Sequence, residues 1–286
     1  MTLTVTRSES IADLFALEDE WLDLHSRSHA GGIFMTFPWV KYWWTHFCQQ
    51  DTLQLLTART ADGMLVGIAP MVIRTTNARV GRSWRQCEFL PATYNHREDL
   101  HFIIEPSYED AVVDAFMNAL FSVREKWDVL QFIGLVADTP LYNYLQQSEY
   151  TWQIPHGEET LTPYVPLPES IDDWMYMVSK NRRKKQRRYI RQLDDEHTWN
   201  FSLVEDQAEF DRVFARLVTL HQQKWESEGL PGAFGEGKAA FFADVLPKLL
   251  AHDMLRMYYL QIDGEIGEVH IPAGSIIIRA FAHTKY

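Results

Sequence analysis

The spacing of apolar residues predicts that the chain begins as a strand followed by two helices. Residues 3–7 alternate apolar and polar side chains in the manner of a strand. The first helix opens at Ser10 or Asp13, and the second opens at Thr36 with Pro38 in its first turn. The apolar faces are Leu14, Leu17, Trp21 and Leu24 in the first helix, and Trp39, Tyr42, Trp43 and Phe47 in the second.

β-rich runs dominate the next part of the chain and predict a sheet. Residues 52–60 and 64–73 form two such runs around Ala61-Asp62-Gly63, and an Asp-Gly pair is a strong hairpin signal. A strand at 83–90 leads into a polar loop at 91–99. The pattern then predicts strands at 100–104 and 127–135, the second of them buried, helices at 106–126 and 139–147, and the end of the sheet at about 150–165.

A proline-punctuated run, residues 162–170, is the predicted boundary between two domains, which span residues 1–165 and 166–286. The second domain opens with a short helix whose start, Ser170 and Asp173, resembles a capping box. The residues predicted to face inward on this helix are Ile171, Trp174 and Val178. The elements predicted after it are a basic helix at 180–193, a strand at 199–204, a helix at 206–228, a glycine-rich loop at 229–237, a helix through Phe241, Phe242, Val245 and Leu249, and strands at 255–262, 265–271 and 275–283.

The two halves repeat one order of elements. Each predicts a strand, then helices, then a β-hairpin that turns on Asp-Gly, at Asp62-Gly63 and again at Asp263-Gly264. Such repetition indicates a diverged structural duplication. We therefore expect an α/β fold of the α+β type, with mixed sheets flanked by helices.

Charge is concentrated in the basic helix. Eight of the 27 Lys and Arg residues lie between Lys180 and Arg191, which leaves 19 cations against 39 Asp and Glu in the rest of the chain. Ser179 is available as the N-cap, and Arg182 is predicted on the inner side. The inner face is predicted to hold Gln186, Tyr189, Ile190 and Leu193, and the outer face Lys180, Lys184, Arg187, Arg188 and Arg191.

This helix is expected to have an anionic partner. Like charges four residues apart repel, and cations in the first turn oppose the helix dipole. The partner is either the protein's own carboxylates, with solvent, or a ligand such as a phosphorylated molecule, a nucleotide-linked sugar, a polyanionic glycan or RNA. Residues 183–188 read RKKQRR, which resembles an arginine-rich RNA-binding peptide.

Length and composition restrict the remaining classes. At 286 residues and 46% hydrophobic content the chain can form one large domain or two of ordinary size. No apolar run approaches roughly eighteen residues and no secretory pattern opens the chain, so we expect a cytoplasmic protein without a membrane span. Cys48 and Cys87 are the only cysteines, and neither a metal-ligand cluster, a serine-hydrolase elbow nor a P-loop is present. No metal site is expected.

Several local patterns resemble FemAB-like proteins of tandem GNAT fold, in particular the CelD/BcsL type of acetyltransferase. The patterns are Phe37-Pro38-Trp39 with Trp43 or Trp44, a loop ending at Asp99 before Leu100-His101-Phe102, the serine and arginine-rich helix Ser179 to Arg191, and His221 to Trp225 with Gly229 and Phe234. The resemblance implies two GNAT-like domains, of which the second is incomplete because the family continues beyond the position of Tyr286.

The resemblance also implies a function. It suggests acyl transfer to an amine or hydroxyl of a polar, sugar-related acceptor, with acyl-CoA as co-substrate or aminoacyl-tRNA as donor, and no bound cofactor. The glycine-containing pyrophosphate pattern of GNAT domains is absent from the chain. The alternatives are an RNA-binding or other polyanion-binding module and a truncated, inactive scaffold. The oligomeric state is left open.

Candidate site residues follow from this reading. The catalytic candidates are Asp99 and His221, and other candidate bases are His101, Glu226 and His270. The expected anion or substrate contacts are Lys180, Arg182, Arg183, Arg187, Arg188 and Trp225.

Overall fold

The computed structural model describes residues 2–29, 32–77, 81–95, 100–147, 166, 168–227, 229, 232, 234, 235, 237–273 and 276–281. The chain divides into two compact units, each made of three separate stretches. Unit 1 comprises Met1–Thr151, Phe234–Leu255 and Pro272–Ile277, and unit 2 comprises Trp152–Ala233, Arg256–Ile271 and Ile278–Tyr286. The predicted boundary between residues 165 and 166 adjoins a stretch outside the described residues, and it stays a prediction.

Strands and helices alternate along the described chain, and short 3₁₀ helices connect several of them. The helices are α1 (Ile11–Phe15), α2 (Glu18–Arg27), α3 (Phe37–Phe47), α4 (Glu109–Phe121), α5 (Pro140–Gln147), α6 (Ile171–Met177), α7 (Lys180–Glu196), α8 (Gln207–Ser227) and α9 (Lys238–Ala251). The strands are β1 (Leu3–Ser8), β2 (Thr52–Thr60), β3 (Leu65–Asn77), β4 (Ser83–Phe89), β5 (Ile103–Ile104), β6 (Val129–Gln131), β7 (Trp199–Leu203), β8 (Tyr258–Ile262), β9 (Glu265–Ala273) and β10 (Ile276–Phe281).

The first sheet has the strand order β1-β2-β3-β4-β6, and β5 pairs with β3. Its neighbours are antiparallel except β4 and β6, which are parallel and joined through α4. Helix α4 packs closely on this sheet at Gly67, where an added Cβ would lie 2.6 Å from Val112 Cγ1 and 3.0 Å from Phe116 Cζ. Glycine is therefore required by the close approach of the helix.

An aromatic cluster forms the other part of the core of unit 1. Trp39 and Trp43 of α3 are fully buried, and the ring of Phe241 from α9 lies 5.0 Å and 5.1 Å from them in edge-to-face geometry. Aromatic pairs prefer this arrangement because the ring edge is positive and the face negative. A helix late in the sequence thus completes the core that begins with α3.

The second sheet has the order β10-β9-β8-β7. Its β8–β9 hairpin turns at Asp263 (φ 49°) and Gly264 (φ 87°), both left-handed, as a two-residue turn with the strand twist requires. Asp263 also accepts hydrogen bonds at its carboxylate from His197 Nδ1 (2.7 Å) and the Thr198 amide (2.9 Å). The predicted α/β class, with helices flanking sheets, is confirmed, and the first sheet is mixed through the parallel pair β4–β6.

Several predicted elements differ from the structure in the first half, among them the strand expected over 100–104, of which only Ile103–Ile104 forms β5. The helix expected to start at Ser10 is two helices, α1 and α2, because the chain turns at Ala16 and Leu17 before an acidic first turn starts α2. The helix expected over 106–126 is α-helical only at 109–121. The strand expected over 127–135 is short, and Val129 is 41% exposed because β6 ends the sheet in the described chain.

The second half differs mainly in which side chains face inward. Ile171 is 77% exposed although it was predicted inward, because it stands at the first turn of α6 with no described element over it. On α7, which extends to Glu196, no residue is fully buried, and Tyr189 and Ile190 are about half exposed. Arg182 is exposed, so its predicted place on the inner side is wrong, and the neighbouring Arg183 is half-buried instead.

We expect Gly67→Ala to lower the free energy of unfolding by about 1–3 kcal/mol, because the added methyl group would overlap the stiff, β-branched side chain of Val112. Denaturant unfolding followed by tryptophan fluorescence measures this. The control is Gly267→Ala on β9, where no atom lies within 4 Å of an added Cβ. Equal effects of the two substitutions would contradict the close packing of α4 on β3.

Candidate functional site

Helix α7 presents an unusually cationic start. Ser179 caps it by accepting a hydrogen bond from the Arg182 amide (3.4 Å), as predicted, and its first turn holds no acidic residue. The N-terminus of a helix already carries a partial positive charge, so cations there are unfavourable and an anion is favourable. The local electrostatics at the capped end of α7 therefore favour negative charge.

Arg183 differs from the other cations of α7 because its side chain binds the backbone of the neighbouring helix, α6. Its Nη1 donates to the carbonyl oxygens of Met175 (2.9 Å) and Tyr176 (3.3 Å), and its guanidinium lies 5.9 Å from the centre of the Tyr176 ring. These carbonyls belong to the last turn of α6, which has no intrahelical donors for them. Arg183 thus holds α6 against α7, and its predicted role as an anion contact would compete with this bond.

The remaining predicted anion contacts on α7 are solvent-exposed. Lys180, Arg182, Arg187 and Arg188 are exposed, and no cation of Lys180–Arg191 forms an ion pair with a carboxylate among the residues the structure describes. Elsewhere cations are paired, for example Arg59 with Glu20. Within the part of the chain that the structure describes, the cations of α7 therefore lack a carboxylate at ion-pair distance.

Tyr189 lies among the cations of this surface, and their positive charge affects its phenol. Lys185 and Arg188 lie 5.5 Å and 5.2 Å from the centre of its ring, and hydrogen bonding and charge from these residues, Lys185 first, lower the pKa of the Tyr189 phenol. A phenol whose ionised form is favoured marks a place where anions are favoured in general. The aromatic ring also offers a flat apolar surface beside the cations.

Helix α8 places His221 and Trp225 one turn apart, as their spacing predicts. Trp225 Nε1 donates a 2.8 Å hydrogen bond to His221 Nε2, so Nε2 is unprotonated in this arrangement. Burial, and secondarily the charge of Lys224, lowers the pKa of His221, which keeps the ring neutral. For His221 to take a proton from a substrate, the bond from Trp225 must first break.

Gly232 packs against both His221 and Trp225. Its φ of 65° is left-handed, and an added Cβ would lie 2.8 Å from His221 Cε1 and 3.0 Å from Trp225 Cδ1. Both the backbone conformation and the space therefore require glycine. One residue of the predicted glycine-rich loop, Gly232, thus packs directly against two of the predicted site residues.

The other predicted bases are dispersed. Asp99 and the side chain of Glu226 lie outside the described residues. His270 is half-buried on β9 in register with Tyr258. His101 lines a cavity of about 50 Å³ in unit 1, together with two residues that the sequence did not single out, His29 and Glu109. These two are 80 positions apart, and no local motif connects them.

No group of three or more His, Cys, Asp or Glu side chains suited to a metal ion occurs in the described ranges. Both cysteines are buried as free thiols, and burial, with a contribution from Glu88, raises the pKa of Cys87 to about 12. Such a thiol is a poor nucleophile at neutral pH. Of the helices the structure describes, none is both long and apolar enough to cross a bilayer.

Part of the chain is similar to a known protein family. Residues 180–275 match the family model described as an acetyltransferase (GNAT) domain. The match begins at the first residue of α7 and includes α8, α9, β8 and β9. The match covers less than half of the chain, and over that stretch it is a similarity that supports an acyltransferase function. No curated protein matches the chain.

Among solved structures, the chain matches that of a fungal multi-domain GH3 β-N-acetylglucosaminidase that contains a GCN5-related glucosamine N-acetyltransferase region. The two are 13% identical with a TM-score of 0.27. The match covers 94% of this chain but 27% of that chain, so this chain spans about a quarter of that protein's length. At these values the likeness carries no argument about fold or function.

Because the pKa of His221 is lower in the folded chain than its ordinary value of 6.5, protonation favours the unfolded chain. We expect the contribution of His221 to stability to be complete above about pH 6.5 and to fall as the pH drops further. His221→Gln retains an acceptor for Trp225 and should lose less stability from pH 7 to about pH 5. Urea unfolding across this range measures the difference.

The matched control is His252→Gln, which removes an exposed histidine after α9. Its pH profile should follow that of the unmodified chain. Parallel profiles for all three proteins would show that the buried state of His221 is not linked to stability.

Proposed function

We propose that the chain is an acyltransferase of tandem GNAT architecture, of the FemAB-like or CelD/BcsL type, that acts in the cytoplasm. The observation that carries the proposal is the match of residues 180–275 to an acetyltransferase (GNAT) domain. The proposed acceptor is an amine or hydroxyl of a polar, sugar-related molecule. The proposed co-substrate is acyl-CoA, with aminoacyl-tRNA as the alternative donor.

The repeated topology supports the tandem arrangement. β1, two or more helices, β2, β3 and β4 follow one another in the first half, as β7, α8, α9, β8, β9 and β10 do in the second. Both hairpins also carry an irregular register just before the Asp-Gly turn, at Ala58/Arg59 and at Leu260/Gln261. A shared irregularity at the same place is more specific than the shared dipeptide.

The surface of α7 supports binding of the phosphates of the donor. Arg182, Arg187 and Arg188 are exposed and have no ion-pair partner among the described carboxylates. Coenzyme A carries several phosphate charges, and guanidinium groups bind phosphate through paired hydrogen bonds. Lys180 adds charge at the helix start. In this proposal Arg183 keeps its bond to α6 and positions the helix.

Acyl transfer needs a group that accepts the proton of the attacking amine or hydroxyl and donors near the developing oxyanion. We propose Asp99 or His221 for the first role, with Trp225 next to the substrate. The low proton affinity of His221 suits a base that must be neutral before the reaction. Its bond to Trp225 then acts as a gate, because substrate must displace the indole before Nε2 becomes available.

We expect acetyl-CoA to bind this chain with micromolar affinity in isothermal titration calorimetry. Arg182→Gln, Arg187→Gln and Arg188→Gln together should weaken binding by at least about tenfold, because three phosphate contacts are removed. The control substitutes Arg82, Arg124 and Lys248 by Gln, three exposed cations outside α7, and so changes the net charge equally.

The two variants separate a local site from general charge. Equal weakening by both would mean that acetyl-CoA responds only to net charge. Binding that neither variant affects would place the donor away from α7. Absence of binding to the unmodified chain would contradict donor binding and favour the inactive-scaffold alternative.

The second candidate function is binding of RNA or another polyanion through α7. The observation that favours it is the row of exposed cations beside the exposed Tyr189, since arginine and aromatic side chains together bind single-stranded nucleic acid. We expect poly(U) binding, measured by fluorescence anisotropy, to weaken steeply with salt and to be lost in the α7 triple variant but not in its control. A salt-independent signal would contradict this function.

A further inference from the structure

Unit 1 contains a cavity that the proposed acyl transfer does not use. It lies where His29, just after α2, approaches the starts of α4 and α5 and the segment around His101. Its volume of about 50 Å³ exceeds the roughly 10–15 Å³ that a single water molecule needs. A ligand of several non-hydrogen atoms therefore fits.

The inner walls of the cavity are apolar. Phe102, Ile104, Val113 and Leu141 line it, and each is at most 5% exposed. They come from β5 and the segment before it, from α4 and from α5, so the shape is fixed by the packing of separate elements. A wall of this kind favours a short hydrocarbon group over water.

The polar end of the cavity is its open rim, where the largely solvent-exposed side chain of His29 (76% exposed) is held by a carboxylate. His29 Nδ1 lies 2.9 Å from Glu109 Oε1, at the first residue of α4. An ionised carboxylate can only accept, so Nδ1 donates to Glu109 and Nε2 is the ring nitrogen left for a ligand. No other hydrogen bond of His29 occurs within the described chain. His101 contributes a second imidazole to the same lining.

We propose that this cavity binds a small ligand in which a primary amine or hydroxyl is joined to a short apolar group. The amine or hydroxyl donates its hydrogen to His29 Nε2, and the apolar group lies against Phe102, Val113 and Leu141. Glu109 adds an attraction for an ammonium group and a repulsion for a carboxylate. The inference concerns binding alone and does not depend on acyl transfer.

The test is a solution NMR titration of the histidine ring signals with propylamine, 1-propanol and propionate. We expect propylamine to shift the His29 and His101 signals saturably at millimolar concentration, 1-propanol to do so more weakly, and propionate to have no saturable effect. The internal control is His197, whose Nδ1 lies 2.7 Å from Asp263 in a similar pair but which is not part of the lining of this cavity. Its signals should not shift with any probe.

Two variants test the geometry. Thr139→Phe places a larger ring at the half-exposed edge of the cavity and should abolish the shifts, while thermal unfolding checks that the protein is folded. Glu109→Gln keeps an acceptor for His29 but removes the charge, and should weaken propylamine roughly threefold with little effect on 1-propanol. Saturable binding of propionate equal to that of propylamine, equal shifts at His197, or shifts unchanged in Thr139→Phe would each overturn the proposal.

Discussion

The edge-to-face packing of Phe241 against the stacked indoles of Trp39 and Trp43 is the contact on which the organisation of this chain depends. Phe241 belongs to α9, which lies in sequence between β7 and β8 of the second sheet. Because α9 belongs to unit 1, the chain must leave unit 2 after Ala233 and return at Arg256. A fragment that ends at residue 165 has no side chain to place where Phe241 lies.

Electrostatics distinguishes α7 from the rest of the protein. Most other described arginines have a carboxylate or carbonyl oxygen close by, as in the pairs of Arg59 with Glu20 and Arg85 with Asp128. On α7 only Arg183 and Arg191 use their guanidinium groups in this way, and both do so through backbone oxygens. The repulsion among the remaining cations is a standing cost that an anion would relieve. The stretch that is similar to an acetyltransferase (GNAT) domain starts at this helix.

Two histidines show how a hydrogen bond decides what an imidazole can do. At His221 the indole of Trp225 occupies Nε2, and burial disfavours protonation. At His29 a carboxylate occupies Nδ1, so Nε2 is the ring nitrogen left for a ligand. Nε2 of His221 can accept a proton from a substrate only after the indole of Trp225 moves away. His29, in contrast, lines a cavity. The sequence singled out only the first.

What the sequence determined by itself is the local structure. Ser10, Ser170 and Ser179 cap their helices, the Asp-Gly pairs form hairpin turns, and the charge of α7 follows from its composition. Each depends on a few neighbouring residues, so a short pattern suffices. The tertiary structure alone decided that Arg183 rather than Arg182 turns inward, that β6 lies at a sheet edge, and that His29 meets Glu109. These depend on which distant elements pack together, and a contact across 80 residues leaves no periodic trace in the chain.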